Sequence, residues 1–189
     1  AAVTTVGAWS TGGTMNTARS GSAGSSAGTK TASLVISGYD GSGPTTVVES
    51  YNGSAWTEIA DVNEGRGSSA AGAGTTTSAL FSGGDNGPAP TTNTELWNGS
   101  SWTEVANMNT SRRGLSGPGA RQTLTESWNG TSWTEVNDLN VGRNDMGGCG
   151  TQTDALGFGG SDPSANVAST EQWNGVSWAE TSDLSTARN

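Results

Sequence analysis

Residues 95–102 read Glu-Leu-Trp-Asn-Gly-Ser-Ser-Trp, and this stretch decides the fold because the chain repeats it. Closely similar stretches begin at residues 49, 126 and 171, each with an aromatic residue before Asn-Gly and a Trp after it. Asn-Gly between two strand-like segments is the strongest short signal for a β-hairpin, because both turn positions favour positive φ. The repeat therefore predicts four β-hairpins of one design.

The two aromatic residues of each hairpin are expected on one face of the sheet, as packing anchors between neighbouring sheets. A two-residue Asn-Gly turn would pair Glu95 with Trp102 and leave Trp97 diagonal to Trp102. A four-residue loop would pair the two Trp residues directly. The predicted Trp anchors are Trp56, Trp97, Trp102, Trp128, Trp133, Trp173 and Trp178.

An arginine follows the second Trp of each repeat at a spacing of ten residues, and Trp9 keeps the same spacing to Arg19. Between each Arg and the next Glu lie a Gly/Ala/Ser stretch and, in most repeats, a Leu/Phe stretch. With the hairpin, these make four short strands in a period of 45 to 47 residues. The recurring arginines are Arg19, Arg66, Arg112, Arg143 and Arg188.

The composition favours an all-β protein over a disordered chain. Only 31% of the 189 residues are hydrophobic, but only 13% are charged and 8 are Trp. Disordered chains combine low hydrophobicity with high charge and few aromatic residues. Small side chains, many turns and a few aromatic anchors are typical of an all-β fold.

A four-stranded sheet repeated radially is a blade of a β-propeller, so we expect that fold. The small residues suit the innermost strands, which converge on a narrow axis. Blades are expected at about 19–62, 66–108, 112–139 and 143–184, with residues 1–15 as the lone fourth strand of a preceding blade. A linear stack of β-coils is the rival architecture, but its repeats are usually shorter.

The third repeat is short. Arg112 and Glu126 are 14 positions apart, whereas Arg143 and Glu171 are 28 apart. The missing positions correspond to the Leu/Phe strand and its loop; either the natural chain has them, or the blade is degenerate. Because the sequence opens on a lone fourth strand and closes where a first strand should begin, we expect a parent of five or more blades, or closure through a second chain.

The repeats resemble kelch repeats. The Gly-Gly doublet is present at Gly83-Gly84 and Gly159-Gly160, followed by the aromatic residue, the Trp and the Arg. Ser37-Gly38 breaks the doublet, and residues such as Asn109 or Asn140 replace the Pro often found before the Arg. The sequence around Trp-Asn-Gly-Thr-Ser-Trp is similar to kelch-like repeats of marine phage and bacterial surface proteins. This resemblance implies a surface-exposed structural role.

The charged and reactive residues exclude several function classes. With 8 basic and 17 acidic residues, the net charge is −9 and no Lys/Arg cluster exists, so neither nucleic acid nor membrane is an expected partner. No apolar run approaches the roughly 18 residues of a membrane-spanning helix. There is no His, and Cys149 is the only cysteine and is expected in a strand. We therefore predict no catalytic, cofactor-binding or metal-binding residue, and no enzyme.

Two sets of glutamates recur and could suggest paired carboxylates for glycoside hydrolysis. A catalytic pair of carboxylates is needed at only one place in a protein, however, whereas these glutamates are present in every repeat. Ion pairing with the recurring arginines, or cross-strand positioning, is the favoured interpretation. The two sets are Glu49, Glu95, Glu126 and Glu171, and Glu58, Glu104, Glu135 and Glu180.

The loops after the second strand differ in sequence between repeats, whereas the residues of the strands recur. These loops are therefore the candidate ligand contacts. Their aromatic and acidic or amide groups suit glycan hydroxyls or a weakly held Ca²⁺, and otherwise are solvated turn residues. The candidates are Tyr39, Asp40, Asp85, Asn86, Ser161 and Asp162.

The leading hypothesis for function is a non-catalytic structural or adhesion module, extracellular or on a virion (phage) surface, that contacts other protein subunits of a larger assembly or a host surface. A glycan-binding, lectin-like propeller that recognises surface glycans is the first alternative. A kelch adaptor for a partner protein is the second.

Overall fold

The protein is all-β. The computed structural model describes residues 11–25, 27–67, 70–112, 123–143, 145–162 and 164–188, and these residues form 14 strands and no helix. The strands lie in four antiparallel sheets, and in each sheet consecutive strands are neighbours. Within the described ranges, no helix is long and apolar enough to cross a membrane.

Sheets 1, 2 and 4 each contain four strands, and sheet 3 contains two. Sheet 1 comprises β1 (Ala23–Gly24), β2 (Ser33–Ile36), β3 (Val48–Tyr51) and β4 (Trp56–Ile59). Sheet 2 comprises β5 (Ala71–Gly74), β6 (Ala79–Ser82), β7 (Thr94–Trp97) and β8 (Trp102–Glu104). Sheet 3 comprises β9 (Thr125–Trp128) and β10 (Trp133–Val136). Sheet 4 comprises β11 (Gly147–Gly150), β12 (Ala155–Phe158), β13 (Thr170–Trp173) and β14 (Trp178–Glu180).

The predicted hairpins are confirmed, with the four-residue loop and not the two-residue turn. Trp97 lies directly opposite Trp102, and the equivalent aromatic pairs of the other sheets have the same register. The side-chain oxygen Oδ1 of Asn98 accepts hydrogen bonds from the backbone N–H groups of Ser100 and Ser101, at 2.9 and 3.0 Å. Because the Asn side chain caps the loop, only the following Gly has positive φ.

The first strands of sheets 1 and 2 approach each other closely, which explains their small residues. A Cβ atom at Gly72 would collide with the carbonyl oxygen of Gly24 and lie 3.1 Å from the Cβ of Ala23. The backbone N–H of Ala27 also donates to the carbonyl of Gly74, at 3.0 Å. Larger side chains at these positions would push the two sheets apart.

The hydrophobic core lies between sheets 1 and 2. Leu34, Ile36 and Val48 of sheet 1 are buried together with Phe81 and Trp102 of sheet 2. Each of these sheets therefore uses one face to cover its neighbour, as expected for sheets that pack face to face.

Sheets 1, 2 and 4 fall within three of the predicted repeat ranges, and sheet 3 falls within the short range 112–139. The assignment of these ranges as blades stays a prediction. Residues 1–10 of the predicted lone strand lie outside the described residues, and residues 11–15 contain no strand. The small-residue stretch of the third repeat, up to residue 122, also lies outside them.

Candidate functional site

In each sheet, a recurring arginine and an asparagine both donate hydrogen bonds to one buried glutamate carboxylate. In sheet 2, Arg66 Nη2 donates to Glu95 Oε1 at 2.9 Å, and both side chains are almost fully buried. Asn63 donates to Oε2 of the same carboxylate from its backbone N–H at 2.7 Å and from Nδ2 at 2.8 Å. Both carboxylate oxygens therefore accept charged or neutral hydrogen bonds, which compensates for their burial.

This cluster is repeated in the other three sheets. The ion pairing expected from the sequence is confirmed for the buried set of glutamates. The second set is exposed, and each of its members lies directly opposite a buried glutamate. The further ion pairs are Arg19–Glu49, Arg112–Glu126 and Arg143–Glu171.

Sequence reasoning missed the asparagine of each cluster. Asn16, Asn109 and Asn140 make the same two hydrogen bonds to their glutamates as Asn63. The available signal was position, because each Asn lies three residues before a recurring Arg. The side chain of Asn63 also donates to the carbonyl of Trp102, so it connects the glutamate to the fourth strand.

Two of the buried arginines also connect consecutive sheets. The guanidinium of Arg66 pairs with Glu95 in sheet 2, while its carbonyl accepts a hydrogen bond from Gly38 N–H of sheet 1 at 3.0 Å. The carbonyl of Arg112 likewise accepts from Gly84 N–H, at 2.9 Å. Arg188 differs, since its side chain is exposed and Nε donates to the carbonyl of Thr186.

The environment of Arg66 shows how a buried cation is compensated. Burial lowers the pKa of Arg66, and the negative charges of Glu95 and Glu64 oppose that shift. The guanidinium carbon also lies 4.1 Å from the centroid of the Phe81 ring, within range of a cation–π interaction. Arg66 is held by a carboxylate, backbone carbonyls and an aromatic face, so its role is structural.

The second Trp of each hairpin links its sheet to the preceding part of the chain. Trp133 Nε1 donates to Thr94 Oγ1 of sheet 2 at 3.0 Å, and Trp178 Nε1 donates to Thr125 Oγ1 of sheet 3 at 3.1 Å. Val48 occupies the equivalent position in sheet 1 and has no hydroxyl group. Trp102 Nε1 therefore donates to the carbonyl of Ala60 at 3.1 Å.

The first Trp of the hairpins binds within its own sheet. Trp97 Nε1 donates to the carbonyl of Thr76 at 2.9 Å, and Trp173 Nε1 donates to that of Gln152 at 2.9 Å. The interpretation of the Trp pairs as anchors between sheets is thus confirmed for the second Trp, at positions 102, 133 and 178, and Trp97 also belongs to the buried cluster between sheets 1 and 2.

In sheets 1 and 2, three of the predicted contact residues are engaged within the fold. The half-buried ring of Tyr39 lies against Gly67, where a Cβ atom would collide with it. Asp85 is only 4% exposed, and its Oδ1 accepts from Gly87 N–H at 2.9 Å. Asn86 Nδ2 donates to Glu64 Oε1 at 2.9 Å.

Asp40 and Asp162 cap turns in their loops. Asp40 is exposed, and its Oδ1 accepts from the hydroxyl of Ser42 at 2.7 Å and from its backbone N–H at 2.9 Å. The hydroxyl hydrogen bond of Ser42 is the main cause that lowers the pKa of Asp40. Asp162 Oδ1 accepts from the N–H and hydroxyl of Ser164, and the neighbouring Ser161 forms a β-bridge with Asn166.

The loops of sheets 1 and 2 are neighbours, because a Cβ atom at Gly87 would lie 3.7 Å from Cγ of Pro44. Among the described residues, no contact joins the loop of sheet 4 to these two loops. In the part of the chain that the structure describes, no group of three His, Cys, Asp or Glu residues is positioned to hold a metal ion.

A cavity of about 470 Å³ lies beside sheet 3. Its lining includes Ala71 and Ser82 of sheet 2, Gly157 of sheet 4, and Arg112 and Trp133 from the third repeat. Cys149 lies in β11, as expected for a strand residue, and it is exposed and also contributes to the lining. Sequence reasoning did not predict this cavity, whose walls come from three different sheets.

Comparison of the chain with protein-family models and with curated proteins finds no match.

Proposed function

We propose that this chain forms kelch-like blades of a β-propeller and acts as a non-catalytic structural or adhesion module, exposed on a virion or cell surface. Its partners are other protein subunits of a larger assembly or surface glycans. The observation that carries this proposal is that the same buried arginine–glutamate cluster recurs in each sheet, whereas the loops after the second strands differ in sequence.

Contacts between consecutive sheets support the propeller arrangement. Arg66 and Arg112 each bind the preceding sheet through a carbonyl and their own sheet through the guanidinium. Trp133 and Trp178 add side-chain hydrogen bonds between consecutive sheets. Residues at or near the first strands of three sheets, Ala27, Ala71 and Cys149, line one cavity, as expected for strands around a common axis.

The loop geometry supports a binding role without catalysis. Aspartates and asparagines in these loops accept backbone hydrogen bonds and hold the turns in defined conformations, as at Asp40 and Asp162. A preorganised loop loses little conformational entropy when it contacts a partner. The buried glutamates accept hydrogen bonds from arginine and asparagine donors, so the role of these glutamates is structural.

Surface labelling of the native source tests the proposal. An antibody raised against the purified chain should label intact virions or cells without permeabilisation, and the labelled protein should sediment with a large particle. Labelling only after permeabilisation would contradict surface exposure. A free single chain of small mass would contradict a structural assembly.

Glycan binding is the second candidate, favoured by the half-buried Tyr39 next to the exposed Asp40. A glycan array with the purified chain should then show saturable binding that is weakened in Asp40→Ala. Asp61→Ala is the matched control, because Asp61 is also exposed but bonds to Thr46 outside the loop turn. Equal binding by both variants and the original chain would place the contact elsewhere.

A further inference from the structure

Sheet 3 is described with two strands, β9 and β10. Among the described residues β9 pairs with β10 only, whereas the third strand of every other sheet also pairs with a second strand. The cavity of about 470 Å³ lies at this edge of β9. We call this cavity the β9 cleft.

The walls of the β9 cleft are the first and second strands of the flanking sheets. Ala71 of β5 and Ser82 of β6 line one side, and Gly148 of β11 and Gly157 of β12 line the other. Glu126 of β9 also contributes to the lining. The cleft therefore occupies the space that the first two strands of a complete third sheet would take.

The third repeat is too short to supply both strands. Ten residues, 113–122, separate Arg112 from Thr123. In sheet 2 the ten residues after Arg66 extend to Thr76, which is past β5 but before β6 begins at Ala79. A second strand with its loop would need chain that this repeat does not contain.

Among the described residues, Arg112 and Arg19 make no hydrogen bond to a carbonyl in or directly after a second strand, whereas two other buried arginines do. Arg66 Nη1 donates to the carbonyl of Gly83, directly after β6, at 3.3 Å, and Arg143 Nη2 donates to that of Gly157 in β12 at 3.2 Å. The described acceptors of Arg112 are the carbonyls of Thr110 and Leu124 and the carboxylate of Glu126. The Arg112 side chain is only 7% exposed and lines the cleft, and each of its three nitrogens has an acceptor, so it forms part of the cleft wall.

We propose that the β9 cleft binds an extended, uncharged segment of a second protein, which pairs with β9 along the edge that no described strand occupies and so serves as a second strand. Such strand addition obtains affinity from backbone hydrogen bonds and specificity from alternate side chains. The proposal goes beyond the surface role above, because it does not depend on what the loops contact.

The chain's own second strands show which sequence fits. All three lack charged residues and carry Leu at the second position, in agreement with a cleft whose Glu126 is neutralised by Arg112. In sheet 2 the next residue, Phe81, stacks on the guanidinium of Arg66. An aromatic residue at that point of the bound segment would stack on Arg112 in the same way.

A cysteine reporter in the cleft tests this proposal. In a Cys149→Ser background, which removes the only cysteine, Ala71→Cys places a thiol on the half-buried cleft wall. The probe is a synthetic peptide of residues 77–85, Thr-Ser-Ala-Leu-Phe-Ser-Gly-Gly-Asp. At peptide concentrations about ten times Kd, alkylation of Ala71→Cys by iodoacetamide should slow about tenfold, because only the unbound fraction reacts.

Two controls make the result specific. Ala23 is the counterpart of Ala71 in sheet 1, but it is 4% exposed against sheet 2, so Ala23→Cys should react slowly with or without peptide. The same peptide carrying Leu80→Asp and Phe81→Asp should give no protection, since both substitutions put charge into the cleft.

Three outcomes would overturn the proposal. Equal reactivity of Ala71→Cys with and without the peptide would show that the cleft does not accept a strand. Protection before any peptide is added, independent of protein concentration, would show that the chain fills the cleft itself. Protection that grows with protein concentration would identify a second copy of this chain, and not another protein, as the occupant.

Discussion

In each sheet, several polar groups donate hydrogen bonds to one buried glutamate. Glu95 of the third strand β7 accepts from Arg66, from Asn63 twice and from Glu64 N–H, so it links the preceding connecting segment to β7. A buried ion pair is not by itself evidence of high stability, but removal of one partner leaves an uncompensated charge. The exposed Glu104, directly opposite Glu95, has no such dependence on burial.

Glu95→Gln should destabilise the protein by about 3 kcal/mol, because it leaves the Arg66 guanidinium buried without its counter-ion. Glu104→Gln is the matched control and should change stability by less than about 0.5 kcal/mol. Urea unfolding followed by Trp fluorescence measures both. Similar losses in the two variants would show that the buried pair contributes no more than surface charge.

Asp40 gives a pH-dependent prediction. The hydroxyl of Ser42 lowers the pKa of Asp40, so the folded protein binds this proton less readily than the unfolded chain. Its contribution to stability is therefore present above the ordinary Asp pKa and is lost as the pH falls through the lowered value. Carboxyl ¹³C NMR titration should find the Asp40 pKa below its usual range, and higher in Ser42→Ala. An unchanged pKa in that variant would contradict the assigned cause.

At the scale of the strands, an indole N–H from one sheet and a hydroxyl from the preceding sheet form a recurring link. Thr94 of β7 is fully buried and accepts from Trp133 Nε1 of sheet 3. Where Val48 replaces the threonine, Trp102 uses the carbonyl of Ala60. Each indole N–H is therefore satisfied, but through a side chain in two links and through the backbone in the third.

Thr94→Val keeps the side-chain shape and removes the acceptor of Trp133 Nε1, so it should cost about 1 kcal/mol. The Nε1–H resonance of Trp133 should shift in the NMR spectrum and exchange faster with solvent. Thr103→Val on the exposed neighbouring strand β8 is the control, and it should leave that resonance in place. An unshifted Trp133 resonance in Thr94→Val would contradict the link.

The close approach of β1 and β5 gives the second prediction at this scale. Gly72→Ala should cost about 1–3 kcal/mol, because the added Cβ would collide with the backbone of β1 and must push the sheets apart. Gly43→Ala is the matched control: no atom lies within 4 Å of its added Cβ. Thermal unfolding should thus lower Tm for the first variant and leave it nearly unchanged for the second.

The strand order could be predicted from the sequence because each strand has its own local signal, such as Asn98-Gly99 at the hairpin. The hairpin loop length could not, because it depends on which backbone N–H groups the Asn98 side chain reaches. The ion pair of Arg66 with Glu95 was predictable from a spacing that recurs in every repeat. The β9 cleft was not predictable, since it depends on how sheets 2 and 4 are placed around a short repeat.

At the scale of the whole molecule, sheet 3 is the point where the regular arrangement is interrupted. Its flanking sheets have four strands each and hydrogen-bond to it through Trp133 and Trp178. Sheets 2 and 4 are therefore both linked to the hairpin β9–β10, and the β9 cleft lies beside β9. If the four sheets are equivalent units, a second strand from sheet 2 should also fit in sheet 3.

Insertion of residues 77–91 between Gln122 and Thr123 would give the third repeat the same Arg-to-Glu spacing as sheet 2. This variant should have a higher Tm than the original chain, because the inserted strand buries apolar side chains and pairs the edge of β9. It should also make Ala71→Cys unreactive towards iodoacetamide without added peptide. The control insertion carries Leu80→Asp and Phe81→Asp within the inserted copy, and it should leave the cysteine reactive. A lower Tm and an equally reactive cysteine in both insertions would mean that sheet 3 is a degenerate unit whose flanking sheets have no room for a complete one.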